Sequence, residues 1–215
     1  YSDNAIMILP FALMNSKSTL EESKTLISGK GAILRNTTNL HFEFEDFPIT
    51  PFHFFIPDFP LRGTCTGSLD LFGQKSKPKM HLELTSHALT LRPDMNSNDE
   101  LPLSASISAD VTNGNCHTSC SIQGLGSTKP INLQITLPCA FNLKQPQFHF
   151  ISDTPMSGSI TGDAQLSYFK WLFEQNQNFT NFDGTASFQL KIFGSIEKPK
   201  CAGQIQLQNG KIDIS

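Results

Sequence analysis

The sequence predicts an all-β protein, an antiparallel sheet with its apolar side chains on one face and one short helix near 166–175. Three observations predict it. Nearly every apolar run alternates with Ser, Thr, Asn, Gln or Lys, the period of a half-buried strand. A hairpin unit occurs twice at a fixed offset. Gly, Pro and Asn punctuate the runs at short intervals, as turns between strands require. Burial on both faces, as in a parallel sheet, is excluded by the alternation. The same alternation fits an open sheet or a closed β-sandwich, since both need one apolar face per strand.

The repeated unit comes first because it is the strongest signal. Gly63–Lys79 lies over Gly184–Lys200 with no gap, at an offset of 121 (184 − 63). Eight positions are identical: Gly63/Gly184, Thr64/Thr185, Leu69/Leu190, Phe72/Phe193, Gly73/Gly194, Lys77/Lys198, Pro78/Pro199 and Lys79/Lys200. Such a match marks an internal structural repeat. Gly-Thr opens a strand. Ala186, Phe188, Leu190 and Ile192 alternate in the second copy, and Cys65, Leu69 and Leu71 in the first, with Gly67 in the gap. Phe-Gly and a polar loop lead to Lys-Pro-Lys. Proline cannot donate to a ladder, so it marks a strand start or edge. A new strand follows, Met80–Leu84 or Cys201–Leu207. The turn residues of the unit are Gly63, Gly73 and Pro78 in one copy, and Gly184, Gly194, Pro199, Gly203, Asn209 and Gly210 in the other.

In chain order, residues 1–39 form weakly marked N-terminal strands and residues 40–215 one continuous repeated region. Pro10 breaks a short apolar strand, and Gly29-Lys30-Gly31 reads as a turn. Leu40, Phe42 and Phe44 share one face of the next strand, opposite His41, Glu43 and Glu45. Prolines 48, 51, 57 and 60 then punctuate an aromatic connection, too many for a central strand or a long helix. Leu103, Ala105, Ile107, Ala109 and Val111 alternate up to Asn113-Gly114, a hairpin turn. Gly124–Pro130 is a loop before Ile131, Leu133, Ile135 and Leu137. Leu166, Phe169, Leu172 and Phe173 have the spacing of an amphipathic helix of two or three turns, with Ser167 placed to cap it. About thirteen strands of about six residues result.

Composition removes several function classes. Net charge is −3 and only 16% of residues are charged, so no strong field steers nucleic acid. Hydrophobic residues are 38%, too many for disorder. No run of about 18 apolar residues exists to form a membrane-spanning helix. Tyr1-Ser2-Asp3 is not a natural start, no signal peptide is visible, and the end falls inside an alternating strand; the expectation is a piece of a longer protein. The five cysteines, Cys65, Cys116, Cys120, Cys139 and Cys201, are odd in number and sparse, which is no disulfide framework. Cys116-His117-Thr118-Ser119-Cys120 lacks a second ligand pair at zinc-finger spacing, so no metal or cofactor is assigned. Neither a nucleophile elbow nor a zinc-protease helix occurs, and no catalytic residues are assigned. Asn36-Thr37-Thr38 and Asn178-Phe179-Thr180 fit the glycosylation acceptor pattern. Trp171 is the only tryptophan and Tyr1 and Tyr168 the only tyrosines, too few for the aromatic girdles of an outer-membrane barrel.

The spacing of Gly184, Gly194, Pro199, Gly203, Asn209 and Gly210 on an alternating background resembles the repeats of the TamB family of AsmA-like proteins. Gly158, Gly162 and the aromatic segment Tyr168–Phe173 resemble what that family places before such a hairpin, and Leu40–Leu91 is similar again. The first copy departs by having Leu82 where the second has Gly203. The resemblance implies an open, U-shaped β-taco and no enzyme activity. It implies a periplasmic bridge, anchored in the inner membrane by a segment outside this sequence. That bridge would carry phospholipid acyl chains between the membranes and support outer-membrane protein assembly with an Omp85-type, TamA-like barrel partner. Shared strand phase groups Leu69, Leu71, Leu82, Leu84, Ile107, Ala109, Ile131, Leu133, Ile135, Leu137, Phe188, Leu190, Ile192, Ile205 and Leu207 on one apolar surface. The resemblance implies that this surface lines a lipid groove; a structural or adhesive β-sandwich is the alternative.

Overall fold

A computed structural model describes residues 6–15, 24–49, 61–91, 101–127, 129–145, 147–169 and 179–214. The described residues form an open antiparallel sheet, not closed into a barrel, with almost no helix. Its strands are β1 (Ile6–Asn15), β2 (Lys24–Ile33), β3 (Thr37–Pro48), β4 (Leu61–Arg62), β5 (Thr64–Gln74), β6 (Lys77–Leu91), β7 (Leu101–Thr112), β8 (Asn115–Gln123), β9 (Ile131–Asn142), β10 (Gln147–Phe150), β11 (Pro155–Gln165), β12 (Phe179–Ser195) and β13 (Pro199–Ile214). The order across the sheet is β1-β2-β3-β5-β6-β7-β8-β9-β11-β12-β13, with β4 beside β6 and β10 beside β9. Each main strand pairs with its successor in the chain, so the fold is a long meander. β1 and β2 join the same sheet through β3, continuing across residue 39.

Several sequence expectations are corrected. Most strands run 9 to 17 residues rather than about six. β1 is not broken at Pro10: the strand passes through it at a register shift between Ile8 and Phe11. Proline is tolerated there because β1 is an edge strand and a bulge frees its ladder position. Gly29-Lys30-Gly31 is not a turn but lies inside β2. The reason is packing. A Cβ on Gly31 would sit 2.1 Å from the Asn39 carbonyl oxygen of β3. The glycine therefore permits close backbone approach, and the turn falls later, where Leu34 N–H donates to the Thr37 carbonyl at 2.9 Å. Within the described residues, the expected helix is one 3-10 turn, Leu166–Phe169, rather than an α-helix. Tertiary packing holds that turn, since Leu166 is buried and Tyr168 packs against the core. Residues 170–175 of the expected helix, and 50–60 of the aromatic connection, lie outside the described residues.

The repeat unit is two hairpins of the same form. Gly73 stands opposite Pro78 on β5–β6, and Gly194 opposite Pro199 on β12–β13, so these pairs close the hairpin ends. Gly184, Gly203, Asn209 and Gly210 are not turn residues: they lie within β12 and β13. A register shift beside Gly184 makes a bulge there, with Asn209 at φ 53° on the facing strand. Leu82 in place of Gly203 does not abolish the close approach; it moves it. A Cβ on Gly203 would meet the Gln189 carbonyl at 2.1 Å, and one on Gly67 the Glu83 carbonyl at 1.9 Å. Gly203 faces Leu190 and Gly67 faces Leu84. Each hairpin thus puts a glycine opposite a leucine, on opposite strands of the pair.

Two buried clusters form at opposite ends of β7. Leu89, Leu103, Leu125 and Ala164 make one, joined by Ile49 and Phe188. Ala109, Val111, Cys116 and Cys139 make the other, joined by Met80 and Phe141. In the second, the end of β9 crosses the β7–β8 hairpin: Cys139 N–H donates to the Gly114 carbonyl at 2.8 Å, and Leu143 N–H to the Lys75 carbonyl at 2.7 Å. Asn113 (φ 51°) and Gly114 (φ 79°) supply the left-handed pair that the tight hairpin turn needs.

Candidate functional site

Directly opposed residues of an antiparallel pair point to the same face. The register therefore assigns every paired side chain to one of two faces. One row crosses ten strands from β2 to β13: Ile27, Phe44, Gly67, Leu84, Ile107, Cys120, Leu133, Ile160, Leu190 and Gly203. A parallel row runs Phe42, Leu69, Leu82, Ala109, Thr118, Ile135, Gly158, Ile192 and Cys201. Leu71 opposes Met80, Ile131 opposes Ile122, Leu137 opposes Cys116, Phe188 opposes Ile205, and Ala186 opposes Leu207. All fifteen residues grouped by strand phase therefore lie on this single face.

That face is only partly covered. Of the fifteen, Ala109 alone is buried. Ile107, Ile205 and Leu207 are 37%, 63% and 56% exposed, and the rest are half-buried. The buried clusters sit toward the strand ends, so the middle of the face keeps Leu84, Leu133 and Leu190 in partial contact with water. Burial raises the thiol pKa values of Cys65 and Cys120, which behave as small apolar groups here. Cys116 and Cys120 share this face, and among the described residues no group of three or more His, Cys, Asp or Glu is placed to hold a metal ion. Among the described residues, no helix is long and apolar enough to cross a membrane.

The opposite face is polar, and two shallow depressions lie on it. One is lined by Lys129, Asp163, Ser187 and Gln189, the other by Asp110, His117, Gln134 and Lys191. Lys129 Nζ lies 3.3 Å from Asp163 Oδ2. The Ser187 hydroxyl and then Lys129 hold the Asp163 carboxyl below its ordinary value.

The fold aligns three histidines that lie far apart in the sequence. His41 Nδ1 lies 2.7 Å from Asp70 Oδ1 and its Nε2 3.2 Å from Glu43 Oε1. His81 repeats this, 2.7 Å from Asp110 Oδ1 and 3.3 Å from Glu83 Oε1. His117 Nδ1 lies 2.9 Å from the Thr136 hydroxyl. A signal was present in the sequence: His41, Glu43 and Asp70 recur as His81, Glu83 and Asp110 at an offset of 40 (81 − 41).

The fold and the two faces define an all-β protein built on one open antiparallel sheet. The chain matches no family model, no curated protein and no solved structure.

Proposed function

We propose that this chain is a TamB-like segment whose apolar face is the floor of a U-shaped groove that carries phospholipid acyl chains. The observation that carries the reading is the partly covered apolar row from β2 to β13. Leaving apolar surface in water costs roughly 25 cal/mol per Å², and monomeric soluble proteins rarely keep large contiguous patches of it bare. An acyl chain removes that cost without a hydrogen bond, which suits a face lined by Leu, Ile and Phe. The two end clusters, and the crossing of β9 over the β7–β8 hairpin, support a sheet that curls toward its apolar side. A face lined by Leu, Ile and Phe suits a conduit, and the reading is a conduit and not an enzyme. In the full-length protein the conduit would sit in the periplasm between inner and outer membranes, with an Omp85-type barrel as partner in outer-membrane assembly.

Purification under native conditions followed by mass spectrometry of extracted lipid tests it. Phospholipid should accompany the chain in about stoichiometric amount and exchange with added phosphatidylethanolamine vesicles. A lipid-free chain that takes nothing from those vesicles contradicts the reading.

A further inference from the structure

The polar face holds a row of charged and titratable side chains. Lys30, His41, Asp70, His81, Asp110 and His117 stand opposite one another in sequence across β2, β3, β5, β6, β7 and β8. Opposed side chains lie about 5 Å apart at Cβ, within reach of one another. Asp70 and Asp110 each have a histidine on both sides. Glu43 and Glu83 lie two residues along, beside His41 and His81.

Both ring nitrogens of His41 face carboxylate oxygens, at 2.7 and 3.2 Å, and both of His81 do, at 2.7 and 3.3 Å. A neutral imidazole offers one N–H and one lone pair; only the imidazolium donates from both nitrogens. The geometry therefore fits the charged ring. With neutral histidines, Lys30, Lys79 and the four carboxylates sum to −2 (2 − 4); charging His41 and His81 brings the group to 0 (−2 + 2).

We propose that this row is a proton-operated clasp: protonated His41 ties β3 to β5, protonated His81 ties β6 to β7, and loss of those protons loosens this half of the sheet. This goes beyond the lipid reading and does not depend on it. His41 faces Lys30 from β2, Asp70 from β5 and Glu43 on its own strand. His81 faces Asp70 from β5, Asp110 from β7, and Glu83 and Lys79 on its own strand. Carboxylates outnumber lysines around both rings. His117 faces Asp110 from β7 and Thr136 from β9. The hydrogen bond to Asp70, then that to Glu43, raises His41; the bond to Asp110 raises His81 most; burial opposes both. A raised folded pKa gives stability that is full below the ordinary imidazole value, about 6.5, and is lost as pH rises through the folded value. The triad is built twice, at an offset of 40, which sets it apart from one accidental contact.

Histidine-resolved NMR titration of the intact chain tests the clasp, with His149 on β10 as a reference outside the row. His41 and His81 should titrate above about 6.5. Asp70→Asn should lower His41 and Asp110→Asn should lower His81. Amide exchange in β3 to β7, corrected for its intrinsic pH dependence, should quicken as those histidines deprotonate. Titration at or below the ordinary value overturns the proposal, as do unshifted histidines in folded Asn variants or protection that ignores the transition. Should an Asn variant fail to fold, titration and exchange of the unmodified chain decide alone.

Discussion

Replacing Leu190 by arginine separates an open apolar face from a covered core. Leu190 sits near the middle of the face, opposite Ile160 and Gly203 and diagonal to Gly158 and Gly162. It is half-buried. Full burial of a leucine contributes about 1.5–3 kcal/mol, so half-burial contributes about 1 kcal/mol. On an open face the arginine stem lies along the apolar surface and the guanidinium reaches water. The three neighbouring glycines leave it room. The expected loss is then about 1 kcal/mol, a fall of about 2–4 °C in Tm for a chain of this size. Under a second layer, the trapped charge would cost several kcal/mol, about 10 °C or more. Val111→Arg is the internal comparison, because Val111 is only 1% exposed inside a packed cluster. Thermal melts by circular dichroism on both variants decide it. Leu190→Arg should fold with a Tm lower by only about 2–4 °C, and Val111→Arg should lose about 10 °C or more. If the two variants collapse alike, the apolar face is covered and the physical basis of the conduit is lost.

Gly67→Ala should destabilise by more than about 2 kcal/mol, since its Cβ would lie 1.9 Å from a backbone oxygen, whereas Gly73→Ala, with 3.8 Å of clearance, should cost about 1–2 kcal/mol from its positive φ; urea unfolding compares them. Thr38→Val should stabilise by about 1 kcal/mol, because the Thr38 hydroxyl is buried with no hydrogen-bond partner among the described residues; a loss of stability on the same assay would show a partner at that oxygen. In acid, Glu43 and Asp163 matter: His41 chiefly lowers the first and Ser187 the second, so their stabilisation is present above their ordinary values and is lost as pH falls through the depressed ones. Asp163→Asn should therefore lower Tm in the neutral region, leave it almost unchanged in strong acid, and so flatten the acid limb of a Tm-against-pH curve; an unaltered difference between the two regions would remove that residue from the account.

The apolar face was legible because side-chain direction in a strand has a period of two, and a register that buries one face carries the phase from strand to strand. Leu40, Phe42 and Phe44 already showed it within β3, and Leu69, Leu133 and Leu190 fall on the same face although far apart in sequence. What was not legible depends on neighbours. Gly29-Lys30-Gly31 has the composition of a turn; only the nearness of the Asn39 carbonyl makes Gly31 a strand residue. Pro10 reads as a break until β1 is known to be an edge. Leu166–Phe173 has helical spacing, but packing of Leu166 and Tyr168 sets a single 3-10 turn where the structure describes it. The charged row was hidden for the same reason: Asp70 lies 29 positions from His41 and meets it only through the pairing of β5 with β3.

Phase-resolved photocrosslinking in the presence of phosphatidylethanolamine vesicles tests the central claim most directly. A photoreactive side chain is placed at Leu133 or Leu190 on the apolar face, and at Gln134 or Gln189 one residue along on the polar face. Neighbouring positions differ in face but hardly in location, so accessibility of the region cancels. Lipid adducts should form at Leu133 and Leu190 and be weak at Gln134 and Gln189. Equal labelling at both phases, or stronger labelling at the glutamines, would contradict the account.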